Sequence, residues 1–196
     1  MAGVRVVTDS ACDLSGELAD RYGIDVVPLT IRFGDEELLD RRDLSPGEFW
    51  RRCKASASLP ETAAPPPGAF RAAYERAGAA GADGVVCLTL SAGVSATYQA
   101  ALAGAAALED QLPVVVVDTR SLTMGQGLMC IAAAELAASG APLDAVVERL
   151  RPVEVDHELV VTDLGPVVGT HSGPGAIAIC YELRPARSRP PVGSTP

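Results

Sequence analysis

Hydrophobic residues follow two rhythms along this chain. Short β-branched runs alternate with stretches whose apolar positions recur every three or four residues, the pattern of strands alternating with helices. Residues 4–8, VRVVT, form the first run; polar DSACDL follows, and Leu14, Leu18 and Tyr22 then share one helical face. Ser10 or Asp13 is placed to cap that helix and Gly23 to stop it. A second strand is predicted over 24–34, with Pro28 marking an edge or a bulge, and GDEELLDR reads as a hairpin-like excursion. Ser45-Pro46 opens a further helix, with Ser45 as cap, Pro46 at its first position and Glu48 three residues after the cap. Residues 54–70, with Pro60, Pro65, Pro66 and Pro67, read as a loop. Helices over 68–81, 95–109, 124–140 and 142–150 are then interleaved with near-continuous apolar runs at 83–91 and 113–121. Such runs are typical of parallel strands covered on both faces. The predicted class is therefore α/β: a mostly parallel sheet flanked by helices and joined by right-handed crossovers, over 1–152.

After Pro152 the pattern changes. Two strand-like runs, 158–163 and 176–181, flank a Gly/Pro-rich loop, GPVVGTHSGPG, and no helical period follows. Residues 153–182 are expected to be a two-strand remnant of a second domain. The Pro- and Arg-rich 183–196 segment lacks apolar periodicity and is expected to be disordered.

Composition narrows the partners. With 196 residues, a chain can bury roughly 70% of its unfolded surface, enough for a core without disulfide staples. Aromatic residues make up only 4%, so that core must be built from Val, Leu, Ile and Ala. A net charge of −9 disfavours nucleic acid and anionic membrane. The five cysteines, Cys12, Cys53, Cys87, Cys130 and Cys180, show no C-x-x-C spacing and read as reduced, mostly buried thiols of a cytoplasmic protein. No leader-like apolar region opens the sequence, no run reaches membrane-spanning length, and neither metal nor cofactor is expected.

Chemistry is expected where polar segments follow apolar strands, because open parallel sheets bind ligands outside the strands' carboxyl ends. Three segments qualify: TDSACD, LSAGVSATYQ and DTRSLTMGQG. In the second, Ser91, Ser95 and Thr97 could add hydroxyl donors to the N–H groups of a helix start, making an anion cradle; ordinary capping by Ser95 is the plainer alternative. Asp9, Asp118 and Asp163 end strands and could serve as bases, or simply form turns. Dinucleotide, P-loop and nucleophile-elbow motifs are absent. Of the two histidines, His157 lies between Asp156 and Glu158 and reads as a solvated residue. His171 is flanked by Gly169, Gly173 and Gly175, which permit close backbone approach, and a protonated imidazole can donate to an anion.

The segments VVTDSACDL, YGIDVVPLTIRFGDEE, LSPGEFW, LPETAAPPPGAF, LSAGVSATYQAA, VVVVDTRSLTMGQG and DLGPVVGTHSGPGAIAI run in the order seen in the DegV family, which the chain resembles from residue 6 to 179. That resemblance implies a bacterial fatty-acid-binding protein that holds a long-chain acid in a tunnel and presents its carboxylate to a fatty-acid kinase without itself being the catalyst. Thr62 matches the family's carboxylate-touching threonine, although the serine and glutamine that usually follow are Ala63 and Ala64 here. Ser91, Ser95 and Thr97 match the family's S-S-x-L-S-G-T-Y, with alanine at 92 and 96. Gly169, Thr170 and His171 open a full match to its G-T-H-x-G-P-G, making His171 the expected carboxylate-facing histidine.

Family members carry a further block between the helix at 142–150 and the GPVVGTH segment, and here the two nearly adjoin. The block supplies tunnel wall and a basic residue near the head group. Burying an acyl tail is worth about 0.8 kcal/mol per methylene, or about 11 kcal/mol for a C16 chain, whereas the carboxylate's hydrogen bonds net only a few kcal/mol. Weakened binding is therefore expected. Alternatives are a non-binding paralogue or regulator that keeps protein contacts alone and, ranked last, a hydrolase using strand-end aspartates and His171. The two isolated strands could also pair between copies as a homodimer.

Overall fold

The computed structural model describes residues 3–150 and 165–172. The expected strands at 158–163 and 176–181, the tail, Asp163, His157 and Cys180 lie outside them.

The central sheet has four parallel strands: β1 (Gly3–Asp9), β2 (Ile24–Val27), β6 (Ala82–Thr89) and β7 (Val114–Asp118), in the order β2-β1-β6-β7. Its side chains alternate between two apolar layers. Val6, Val86 and Leu88 face one cluster with Cys130, Ile131 and Val146. Val7, Val85 and Cys87 face another with Phe70, Tyr74 and Ala101. The first layer is covered by α1 (Gly16–Tyr22), α5 (Met124–Ala138) and α6 (Leu143–Arg149), and the second by α3 (Pro67–Ala79) and α4 (Thr97–Ala106). Because both faces are covered, β6 is buried without a break from Gly84 to Thr89, as a parallel strand between two helical layers must be.

Several local expectations change. Ser15, not Ser10 or Asp13, caps α1, its hydroxyl accepting from Leu18 N–H. The preceding residues form a 3₁₀ turn, Ser10–Cys12, capped by the Asp9 carboxylate and closed by Asp13 at φ 55°. The predicted strand at 24–34 is two strands that serve different sheets. β2 ends at Val27; after Pro28, β3 (Thr30–Phe33) pairs antiparallel with β4 (Glu36–Leu39) on one side and β5 (Glu61–Ala63) on the other. Proline removes a ladder donor, which suits the point where the chain leaves one sheet for another. β5 lies inside the segment expected to be a loop, and its short polar sequence carries no strand period.

The antiparallel sheet and α2 (Pro46–Ala55) sit over the carboxyl ends of β1 and β6. Leu29, Ile31, Leu44 and Phe49 pack there with Ala11, Leu90 and Val167 in a third cluster. Val167 belongs to α7 (Pro166–Ser172), which overturns the expectation of a loop across this segment. Proline is preorganised for the first helical position, and the Thr170 hydroxyl donates to the Pro166 carbonyl one turn back, at 2.8 Å.

Candidate functional site

Strand order reverses between β1 and β6: the chain leaves β1 for β2 on one side, and later enters β6 on the other. Their carboxyl ends form the sheet's topological switch point, where loops diverge and leave a crevice. Asp9 ties this point together from within. It is fully buried, and its two oxygens accept from Ala11 N–H at 3.0 Å and Leu90 N–H at 2.8 Å. Burial pushes its carboxyl up to about 6 while those N–H groups pull it down. Asp118 likewise accepts from Ala92 N–H at 3.1 Å and Arg120 N–H at 2.9 Å. Both aspartates thus fasten loops, Asp9 with both oxygens committed to backbone donors and Asp118 through Oδ1 alone.

The candidate ligand residues fall into two groups. Thr62, on β5, meets His171, on α7: Thr62 Oγ1 lies 3.4 Å from His171 Nε2, across 109 residues of chain. The antiparallel pairing that sets Thr62 opposite Ile31 fixes one partner. His171 lies one turn after the buried Val167 on the same face of α7, where the helix runs out of the apolar cluster to the exposed edge beside β5. Thr170 is almost buried, with its hydroxyl turned back into its own helix, and Gly169 lies within α7.

Ser91, Ser95 and Thr97 form the second group, in the turn between β6 and α4. Ser91 N–H donates to the Ser121 carbonyl at 2.8 Å, and its hydroxyl accepts from Gly93 N–H. Ser95 Oγ accepts from Thr97 N–H at 3.2 Å and shares a 2.8 Å hydrogen bond with the buried Thr97 hydroxyl. Ala96, not Ser95, occupies the cap position of α4, with no side-chain cap; Ser95 precedes it, closes a local turn onto Thr97 and stays only partly buried. No hydrogen bond among the described residues joins this group to Thr62 and His171. They do border the same apolar cluster: Leu90, just before Ser91, and Val167, four residues before His171, pack into it together.

A second polar feature, near the start of α7, has no signal in the local sequence pattern. The Asp13 carboxylate accepts from Gly165 N–H at 3.1 Å and from Arg41 Nη2 at 2.9 Å. Burial raises its pKa, and Gly165 N–H and Arg41 counter that rise. Asp40, next in line, is 1% exposed, and among the described residues neither oxygen has a hydrogen-bond partner; burial pushes it up to about 6, with Ser10 and Arg41 as its attractive polar neighbours. A surface hollow of about 650 Å³ lies beyond Arg41, lined by Leu14, Ser15, Asp40 and others, and none of the candidate ligand residues lines it.

Nucleophilic chemistry has little support here. Cys12, Cys87 and Cys130 are buried free thiols whose pKa values burial pushes up, that of Cys87 to about 12. A thiol held so far from thiolate is inert. Among the described residues no group of three or more His, Cys, Asp or Glu could hold a metal ion, and no helix is long and apolar enough to cross a membrane.

Together the fold and its polar loops define a doubly wound α/β protein with an antiparallel cap seated over its switch point. The chain belongs to the DegV family, whose profile, described as that of uncharacterised proteins, matches residues 3–162. A DegV domain-containing protein of Listeria monocytogenes is 34% identical over 163 residues, covering 82% of this chain and 57% of the relative. A DegV family protein from Thermus thermophilus, described as fatty-acid binding, superposes with a TM-score of 0.69 at 34% identity, over 76% of this chain and 52% of that one. The fatty-acid-binding DegV of Bacillus subtilis gives a TM-score of 0.72 at 29% identity, over 76% and 53%. The chain thus spans about half the length of the relatives it matches.

Proposed function

We propose that this protein binds a long-chain fatty acid, with the carboxylate held at the mouth formed by β5, α7 and the β6–α4 turn. The meeting of Thr62 and His171, from chain segments 109 residues apart, is the observation that carries this proposal. A hydroxyl and an imidazole both donate to a carboxylate, and charge-assisted hydrogen bonds are about twice as strong as neutral ones. Ser95, partly buried on the same rim, supplies a third donor by rotating its hydroxyl; Ser91 and the N–H groups of the turn support it. Fatty-acid binding by the Thermus thermophilus and Bacillus subtilis relatives favours the same ligand class.

The protein acts as a carrier in the cytoplasm, presenting the acid group to a fatty-acid kinase rather than transforming it. Since tail burial dominates affinity, and the helix at 142–150 nearly adjoins the GPVVGTH segment where family members carry a further block, binding is weakened. The same internal gap favours a second reading, in which the α/β part serves mainly as a contact surface for a protein partner.

Native mass spectrometry of protein expressed in bacteria tests the carrier role. A co-purified C16–C18 acid, lost in His171→Ala and reduced in Thr62→Val, is the expected result. Protein that stays empty at saturating palmitate overturns it, and a partner captured equally well by lipid-free protein favours the second reading.

A further inference from the structure

Asp13 and Arg41 hold the start of α7 in a buried three-way junction. Asp13 Oδ2 accepts from Gly165 N–H and Oδ1 from Arg41 Nη2, while Arg41 Nη1 donates to the Leu14 carbonyl at 3.0 Å. The side chains of Asp13 and Arg41 are 2% and 18% exposed. Both residues have left-handed backbones, φ 55° and 61°, a conformation that non-glycine residues adopt at a cost and that persists where surrounding structure imposes it. Gly165 is the complementary part. A Cβ there would run into the Asp13 carboxylate and come within 3.1 Å of Arg41 Nη2. Pro166 follows at once, so any displacement of Gly165 is transmitted to the whole helix. His171 lies near the far end of that helix, against Thr62.

We propose that Asp13 and Arg41 are positioning residues for His171: their ion pair fixes where α7 begins, and so where the imidazole meets Thr62. Neither residue touches the ligand. The buried pair contributes direction, since the Asp13 carboxylate has one oxygen for Arg41 and one for the Gly165 N–H, and Asn at 13 cannot accept on both. The ligand consequence rests on the carboxylate-binding proposal above; the placement of His171 does not.

The test follows the nuclear Overhauser contact between the His171 ring and the Thr62 side chain, together with palmitate affinity. In the unaltered chain the contact is present. In Asp13→Asn and in Gly165→Ala, which keeps every charge, the contact is lost and palmitate binds at least tenfold more weakly. Leu108→Ala is the comparison, because it weakens the apolar layer of Val7, Phe70 and Tyr74, which includes no residue of α7 or of 10–14; it lowers the melting temperature while the contact survives. Should Asp13→Asn fail to fold, Gly165→Ala decides alone. Retention of the contact in folded Gly165→Ala, or its absence from the unaltered chain, overturns the proposal. Failure of the unaltered chain to take up palmitate overturns the carboxylate reading and leaves the contact to judge the positioning role.

Discussion

The two sheets of this protein are held by different means. In the parallel sheet, Val7, Val85, Val86, Cys87 and Leu88 are 0% exposed and packed between helical layers. The antiparallel sheet buries one side only, where Ile31 packs with Leu29 and with Phe49 of α2, and presents Arg32, Glu37 and Glu61 to solvent as ion pairs. Burial of apolar surface outweighs exposed ion pairs, whose typical worth is below about 1 kcal/mol. The first sheet therefore carries the fold, whereas the second is an attached platform whose task is placement, and the candidate ligand residue Thr62 stands on that platform.

The largest effects separate the two directly. Leu88→Ala and Phe49→Ala each remove a fully buried side chain, at a cost of about 2–5 kcal/mol. Leu88→Ala is expected to lower protection from hydrogen exchange across the whole chain, and Phe49→Ala to lower it first in β3–β5 and α7. Uniform loss in both variants would mean that the sheets unfold as one unit.

Asp40→Asn comes next, with an effect that depends on pH. Burial raises the Asp40 carboxyl to about 6 from the ordinary 3.8, so the folded chain holds that proton more tightly than the unfolded chain. The associated stability is complete below about pH 4 and is lost as pH rises through 6. Asp40→Asn should thus be near neutral at pH 4 and more stable than the unaltered protein at pH 8, by about 1–3 kcal/mol in urea denaturation. A difference that does not change with pH would show that Asp40 is not buried as described.

Ser45→Ala removes the hydroxyl that accepts from Glu48 N–H at the start of α2, for about 1 kcal/mol by the same measurement. Smallest of all is Arg32→Ala, on the exposed face of the platform, which should leave the denaturation midpoint within scatter at any salt concentration. A clear shift would assign the ion pairs more weight than the comparison gives them.

The parallel sheet was legible because long apolar β-branched runs at 83–91 and 113–121 alternate with helix-length, alanine-rich segments such as 124–140. Ser45 at the start of α2 was equally plain, because its chemistry is local. Legibility ended where structure depends on distant partners. β5 is three residues, Glu-Thr-Ala, made a strand only by Ile31 opposite Thr62. α7 was hidden by its glycine and proline, although Pro166 before two valines is itself a helix-start signal. His171 and Thr62 could be named from the DegV resemblance, but their meeting depends on a pairing register and a buried valine. Asp13 was misread as a helix cap because nothing near it in the chain announces Arg41 or Gly165.

The distance along the chain between Thr62 and His171 has a further consequence. A nascent or nicked polypeptide that ends before α7 has the platform without the imidazole. The two side chains meet only once α7 has been made and docked, so this contact forms late relative to the sheet that holds Thr62.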